Sequence, residues 1–554
     1  MSVRKPVMFG SMYRGNIRLE TAQAILQVVQ QEKIESFRKT IFDFPIEFLK
    51  EAFDNGFVSI RKYAKAHNID VSPYIRELRD YQTVGTAFLY LSAKSIIADG
   101  VGLGKTVEIS ALLNILKLRG EMKRFIMAVE NGPAITQTQL ELFKRTGMAV
   151  LVVPTEKKKM IKTLSSVIDW NDIDGIVIGH SALKSDTFLS WLADYVEVVN
   201  GIDRCSLFDT FILDESSVVK NRNTKVFEYT ESISNLMSRV HFMNATTFET
   251  CIMDIYNQID LLNPTVLPSK SAIGNKYCVY TPKPFWGRDV NGKPEIKKSW
   301  QLTGYKNQSE FKDSLKLFYF GRYIEDTKNE YEVHYVYPTI EQQTLIGRGA
   351  RYQEVLNCPS LVDKEAYKME IPFTIENVPK LKYLIDLVAK NHDKKIMIYC
   401  WHRQAQEFIQ REVEKLGRTC AILNGAVNDV NERQGLVDGF NGEQYEVLIT
   451  NIKKSLNLYD GDLCILYSVE SNPAKLEQIR GRIERNVDQK VKKYIMIVYR
   501  GTGEFSLFAD KLIERGKQAR GLISDARMAV DYFIDGKHFD IDGTEIEVKD
   551  LIKK

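Results

Sequence analysis

Residues Asp99-Gly-Val-Gly-Leu-Gly-Lys-Thr106 place three glycines, a lysine and a threonine between a short apolar run and a helical pattern. Backbone N–H groups of such a turn can wrap anionic oxygens, and the N-terminus of the following helix adds a positive dipole. Lys105 is expected to neutralise the β- and γ-phosphates of a nucleotide, and the Thr106 hydroxyl to hold magnesium. Gly100, Gly102, Leu103, Gly104, Lys105 and Thr106 follow the phosphate-loop pattern GxxxxGK[ST], whereas Asp99 stands where its first glycine belongs. A second piece of chemistry lies downstream. Phe211-Ile-Leu-Asp-Glu215 is an apolar run ending in two carboxylates. ATP hydrolysis needs both: Asp214 is assigned to the metal, and Glu215 to orienting or deprotonating the attacking water. Further on, Gln478-Ile-Arg-Gly-Arg-Ile-Glu-Arg485 sets Arg482 and Arg485 three apart, on one face of a helix.

The elements that must position these groups alternate between short apolar runs and helical patterns. Residues 95–98, 125–129, 150–153, 176–178 and 211–213 read as strands, and 107–118 as an intervening helix. A second series offers 396–399, 419–423, 447–449, 464–467 and 494–498. Such alternation predicts parallel α/β sheets. Between the two series the chain turns rich in Pro, Gly, Lys and Asn, which predicts loops and a hairpin, then helical segments. Before residue 72, apolar residues recur at three and four, as in Ile46, Leu49 and Phe53, and Pro45 suits a first helical turn. The expected division is a helical N-terminal segment (1–72), an ATP-binding lobe (73–264), an insert with a helical protrusion (265–375), a second lobe (376–515) and a tail (516–554) of helix followed by a short β segment.

Composition narrows the class without naming it. The 554 residues carry 76 basic and 72 acidic side chains, a net charge of +4. Near balance neither demands nor excludes nucleic acid, because binding needs a local basic groove. The basic runs at 157–159 and 490–493 read as solvated faces. Seven scattered cysteines without a CxxC pair argue against zinc and for reduced thiols. No apolar run approaches a membrane span and the N-terminus has no secretory apolar core. The expected setting is intracellular, cytoplasmic in a bacterium or virus rather than nuclear, and a monomer is compatible with everything in the sequence.

The string ADGVGLGKT resembles ADEMGLGKT of the Swi/Snf-type ATPases of helicase superfamily two, in which an Asp also opens the phosphate loop. The resemblance continues along the chain. Leu78-Arg-Asp-Tyr-Gln82 is similar to the family's LRPYQ element, whose glutamine reads adenine; this implies that Gln82 selects ATP. LDESSVVKNRNTK resembles LDExHxIKNxxSK, with Ser217 in place of the histidine. Met243-Asn-Ala-Thr-Thr247 stands where the family has Thr-Gly-Thr-Pro, and 255–264 resembles the Asn-Pro helix that follows. Thr450-Asn-Ile-Lys-Lys-Ser-Leu-Asn-Leu458 resembles a shortened motif five, in which Thr450 would contact a backbone phosphate or serve as a structural cap. Gln478, Arg482 and Arg485 match QxxGRxxR; the match implies a nucleotide contact for Gln478, and for the arginines charge neutralisation at the γ-phosphate. Parts of the insert, including Phe285-Trp-Gly287, resemble the fork-remodelling, annealing-helicase branch.

The resemblance implies two RecA-like lobes, ATP and Mg2+ as cofactors, and double-stranded DNA as partner. Three readings stay open: a translocase on duplex DNA that remodels forks or displaces bound proteins, a helicase that separates DNA or RNA strands, and a degenerate ATP-binding scaffold with little turnover. The altered motifs three and five favour the last; the intact Lys105, Asp214, Glu215, Arg482 and Arg485 oppose it.

Overall fold

The computed structural model describes residues 78–547 apart from 101, 168, 245–252, 265–266, 268, 289–293, 316–317, 323–327, 428, 453–457, 471, 484–489 and 507–528. The expected N-terminal helices, Ala245 to Thr247, Arg485 and part of the motif-five stretch lie outside the described residues. The chain divides into two compact units, the first ending at Tyr323 and the second beginning at Ile324.

Unit one opens with helix α1 (Asp80–Leu91) and then builds its sheet from β1 (Lys94–Ile97), β2 (Phe125–Val129), β3 (Val150–Val153) and β4 (Gly175–Gly179), with helix α2 (Lys105–Leu118) after β1. A small antiparallel pair, β5 (Val196–Val199) and β6 (Ile202–Cys205), precedes β7 (Thr210–Leu213) and β8 (Arg239–Met243). Helix α3 (Met253–Leu262) leads to a long antiparallel hairpin of β9 (Cys278–Arg288) and β10 (Pro294–Tyr305), and the unit closes with β11 (Tyr319–Phe320). Seven strands pair in the order β11-β1-β8-β7-β2-β4-β3, all parallel.

Both faces of this sheet are covered, which explains why its strands are unbroken apolar runs rather than alternating ones. Ile96, Ile126, Ile176, Phe211 and Phe242 enter one core. Their neighbours Ile97, Met127, Val177, Ile212 and Met243 enter the core on the other side. In α2, Ile109, Leu112, Leu113 and Leu116 are buried, and their spacing of three and four forms the stripe that packs on the sheet.

Unit two repeats the plan with β12 (Glu330–Val336), β13 (Ile396–Tyr399), β14 (Cys420–Leu423), β15 (Val447–Thr450), β16 (Leu463–Leu466), β17 (Lys493–Tyr499) and β18 (Lys537–Phe539), in the order β14-β15-β13-β16-β17-β12-β18. These strands too are all parallel. Ile396, Ile398, Ile465 and Ile497 face one core; Met397, Tyr399, Leu466 and Met496 face the other. Four of its helices matter below: α4 (Pro379–Lys390), α5 (Pro473–Arg480), α6 (Gly503–Ser506) and α7 (Ala529–Asp535).

Two RecA-like lobes are therefore present, but the segments around them are divided differently from the sequence reading. The expected insert at 265–375 is not one body: β11 extends the sheet of unit one, whereas β12 belongs inside the sheet of unit two. The tail is not an appendage either. Its strand β18 pairs with β12, and Phe533 of α7 is buried in the core of unit two. The basic run at 490–493 is only partly solvated, because Lys492 is buried and its Nζ donates to the Tyr459 and Gly461 carbonyls at 3.0 and 2.7 Å. Lys157 to Lys159 do form an exposed helical face. Among the described residues no helix is long and apolar enough to cross a membrane, and the six described cysteines are buried free thiols.

Candidate nucleotide site

In a parallel sheet, whatever follows each strand emerges at the same edge, and ligands gather there. The register of unit one sets Ile97 beside both Met243 and Phe320, and Leu213 beside Phe242. The phosphate loop, Arg322, Asn244 and the Asp214–Glu215 pair thus leave adjacent strand ends at one level. With strands about 4.8 Å apart, the exits of β1 and β7 are separated by roughly 10 Å.

The loop is held from inside and from α1. Lys105 Nζ donates to the Asp99 carbonyl at 2.7 Å and reaches the Gly100 carbonyl at 3.5 Å. Leu103 is buried and its carbonyl accepts from Gln82 Nε2 at 2.8 Å and from the Tyr81 hydroxyl at 3.1 Å. Gly104 caps α2 in the left-handed region, φ 87°. A Cβ there would also lie 2.5 Å from Gln82 Nε2, so glycine is required by both conformation and space. Gln82, expected at the adenine, is buried with its Oε1 accepting from the Arg79 N–H at 3.1 Å; its amide is engaged with the loop and with the start of its own helix.

Asp99 explains its own departure from the general pattern. Its Oδ1 accepts from both the backbone N–H and Nε of Arg322 at 3.1 Å, and its Oδ2 pairs with Arg322 Nη2. The same Nη2 pairs with Glu108 Oε1, and Nη1 donates to the Tyr81 carbonyl. Gly100 N–H donates to the Arg322 carbonyl at 2.8 Å. The guanidinium lies over the Phe320 and Tyr81 rings, 4.7 and 5.3 Å from their centroids. Burial, and next the Asp99 carboxylate, push the Glu108 carboxyl well above the usual carboxylate range. Glu108 Oε2 has no hydrogen-bond partner among the described residues.

The acidic pair is equally constrained. Asp214 N–H donates to the Ala128 carbonyl at 2.8 Å, and the Asp214 carbonyl bonds His180 Nε2 at 2.9 Å. Asp214 Oδ1 accepts from the Glu215 N–H at 2.9 Å. Glu215 itself sits in the left-handed region, φ 50°. For a non-glycine residue that costs on the order of 1–3 kcal/mol, strain that recurs at functional positions. Helix α3 braces the turn: Ser216 Oγ donates to Gln258 at 2.5 Å, Asn257 donates to the Lys220 carbonyl, and Arg222 pairs with Asp260 at 2.8 Å. The Asn-Pro helix therefore has a local task, holding the acidic turn.

In unit two, Thr450 is fully buried and its hydroxyl accepts from the Ile452 N–H at 3.0 Å. That bond is the local cap that the sequence left open beside a phosphate contact. Gln478 is buried in α5 with its side-chain carbonyl unpartnered among the described residues. Arg482 lies in the turn after α5 rather than on the helix face expected from the sequence; it donates from Nε to the Gln478 carbonyl at 2.9 Å, and its own carbonyl accepts from the Leu458 N–H at 2.9 Å.

Three residues at the loop and the acidic turn were missed in the sequence: Arg322, Glu108 and His180. Glu108 left one signal, a carboxylate beside the apolar stripe of α2. Arg322 closes the stretch 311–322 that resembles the fork-remodelling branch, but nothing there announced its pairing with Asp99, 223 positions away.

Known proteins similar to this chain are helicases and helicase-like ATPases. Residues 379–487 match the helicase conserved C-terminal domain. The uncharacterized ATP-dependent helicase YqhH of Bacillus subtilis is 24% identical over 71% of this chain and 70% of its own length. The human DNA repair and recombination protein RAD54B is 23% identical over 81% of this chain but only 55% of its own. The mouse chromodomain-helicase-DNA-binding protein 6 is 22% identical over 79% of this chain and 17% of its own. Among solved structures, the Sulfolobus solfataricus SWI2/SNF2 ATPase core in complex with dsDNA is 18% identical, with a TM-score of 0.36 over 83% of this chain and 94% of that one. By the matched domain and these relatives, the chain is similar to the Swi/Snf-type helicase-like ATPases of helicase superfamily two.

Proposed function

We propose that this ATPase is a translocase that moves on duplex DNA, remodelling forks or displacing bound proteins. The observation that carries the ATP half is the convergence, at one sheet edge, of the glycine-rich loop with Lys105, the braced Asp214 and the strained Glu215. In this reading Lys105 leaves its loop carbonyls for the β- and γ-phosphates, and Glu215 orients the attacking water. The Thr106 hydroxyl and the Asp214 carboxylate form the hard oxygen set that suits magnesium, which would screen phosphate charge when bound. Arg482 and Arg485 are assigned to charge developing on the γ-phosphate.

Duplex DNA is supported by the Swi/Snf-type motifs and by relatives named for DNA repair and chromodomain-linked DNA binding. Contacts to phosphates predict weak sequence preference and strong salt dependence. The fork-remodelling task rests on the loose likeness of the insert alone.

The test measures ATP hydrolysis without nucleic acid and with duplex DNA, single-stranded DNA and duplex RNA, alongside displacement of a third strand from a triplex. Duplex-stimulated turnover with displacement and without unwinding is expected. Single-strand stimulation with unwinding would replace the translocase by a strand-separating helicase, and no turnover under any condition would leave the ATP-binding scaffold. Glu215→Gln is expected to lower turnover about a hundredfold or more while nucleotide still binds.

A further inference from the structure

The phosphate loop is fastened to a residue that no nucleotide motif contains. Arg322 sits at the carboxyl end of β11, beside the exit of β1, and only Tyr323 separates it from the start of unit two. It is 3% exposed. Its guanidinium joins Asp99 and Glu108, its backbone N–H and carbonyl bond Asp99 and Gly100, and it reaches the Tyr81 carbonyl. Tyr81 and Gln82 in turn hold Leu103. One side chain therefore gathers the first residue of the loop, the first turns of α2 and the α1 segment that carries the loop's other end.

A plain structural staple would not need this design. A buried guanidinium bidentate to one carboxylate already satisfies the pair. Here a second carboxylate is added, and one of its oxygens is unpartnered among the described residues. Two carboxylates share this guanidinium, and the next cation acting on Glu108 is Lys105, which leaves for the phosphates when nucleotide binds in the reading above. Such a cluster responds to anything that moves its cation, because desolvated charges feel small displacements strongly.

We propose that Arg322 is a positioning residue that sets the phosphate loop for nucleotide. This rests on the reading of residues 99–106 as the ATP site. Displacing Arg322 displaces Asp99 and Gly100, because they are bonded to its side chain and backbone.

The experiment compares wild type with Arg322→Lys, which keeps the charge but not the fork, and Glu108→Gln, which leaves the Asp99–Arg322 pair intact. KM for ATP, kcat and stimulation by duplex DNA are measured well below the melting temperature of each protein. For Arg322→Lys, KM is expected to rise about tenfold or more, as for a misplaced binding group, and stimulation by duplex to fall. Glu108→Gln, which removes the second carboxylate, should raise KM in the same direction but by less than Arg322→Lys. An Arg322→Lys protein that melts earlier but keeps wild-type KM, kcat and stimulation would overturn the proposal and leave a staple.

A second measurement needs no variant. Amide exchange of residues 319–322 in wild type should slow when ADP is added, and unchanged exchange in the presence of bound ADP would also overturn the proposal. Wild type that neither binds nor hydrolyses ATP would instead refute the reading of the site itself.

Discussion

Each sheet ends on a short strand recruited from far along the chain, and the two strands serve different ends. In unit one, β11 contributes two residues and then Arg322, so the strand and the buried cation are one segment. In unit two, β18 contributes three residues and is fastened by His538, whose Nδ1 bonds the Tyr335 hydroxyl at 3.0 Å. A buried cation of unit two lies elsewhere. Lys380 at the start of α4 donates to Glu504 of α6 at 2.8 Å and to Asn357 at 3.1 Å, while Glu504 accepts from the Tyr499 N–H at 2.9 Å. That pair holds one cation against one carboxylate, packed over the Tyr467 and Tyr499 rings. A balanced, satisfied pair fixes architecture. A cluster whose second cation is Lys105 of the phosphate loop itself is built to respond to a ligand.

The largest effect expected from this contrast is on stability, in unit two. Lys380→Met leaves Glu504 buried without its cation, which costs about 3–5 kcal/mol. The melting temperature should fall sharply, while the protein that stays folded keeps its KM for ATP. A raised KM at full folding would mean that the unit-two pair also serves the nucleotide, and the contrast would fail.

Next comes the turn into β18. A Cβ on Gly536 would lie 2.3 Å from the Tyr331 carbonyl oxygen and 2.9 Å from that of Tyr532. Backbone cannot yield as a flexible side chain can, so Gly536→Ala should cost about 1–3 kcal/mol, read by denaturant unfolding, with ATP kinetics unchanged.

The sequence was most legible where chemistry is contiguous. The phosphate loop and the Asp214–Glu215 pair are single runs flanked by a strand, and β2 and β3 announce themselves as unbroken apolar segments. Legibility failed where the partner is distant or the strand too short to carry a pattern. Two residues of β11 have no periodicity, and the link from Arg322 to Asp99 closes over most of unit one. Strand β8 was hidden by Arg239 and His241; the second is buried, with Ser95 Oγ 2.9 Å from its Nδ1. Strand β12 was hidden by two glutamates, of which Glu332 pairs with Lys493 at 2.7 Å. Thr450 shows what residue type alone leaves open: its burial and its bond to the Ile452 N–H could not be read from the sequence.

The smallest expected loss of stability tests the contrast most directly. Gly321 lies between β11 and Arg322, and a Cβ there would stand 3.0 Å from the Ala98 carbonyl oxygen and 3.2 Å from the Ala98 Cβ. Those contacts are tight but not prohibitive, so Gly321→Ala should cost only about 1 kcal/mol. Yet the shift that relieves them moves Arg322 away from β1, and KM for ATP should rise measurably. If that rise acts through Arg322, the pair Gly321→Ala with Arg322→Lys will raise KM no further than Arg322→Lys alone. Independent effects would instead multiply, because only groups that share a partner depart from additivity. The glycine of unit two predicts the opposite pairing of effects, a larger loss of stability with KM unmoved. An edge strand that changed KM in both units, or in neither, would show that the two have the same purpose.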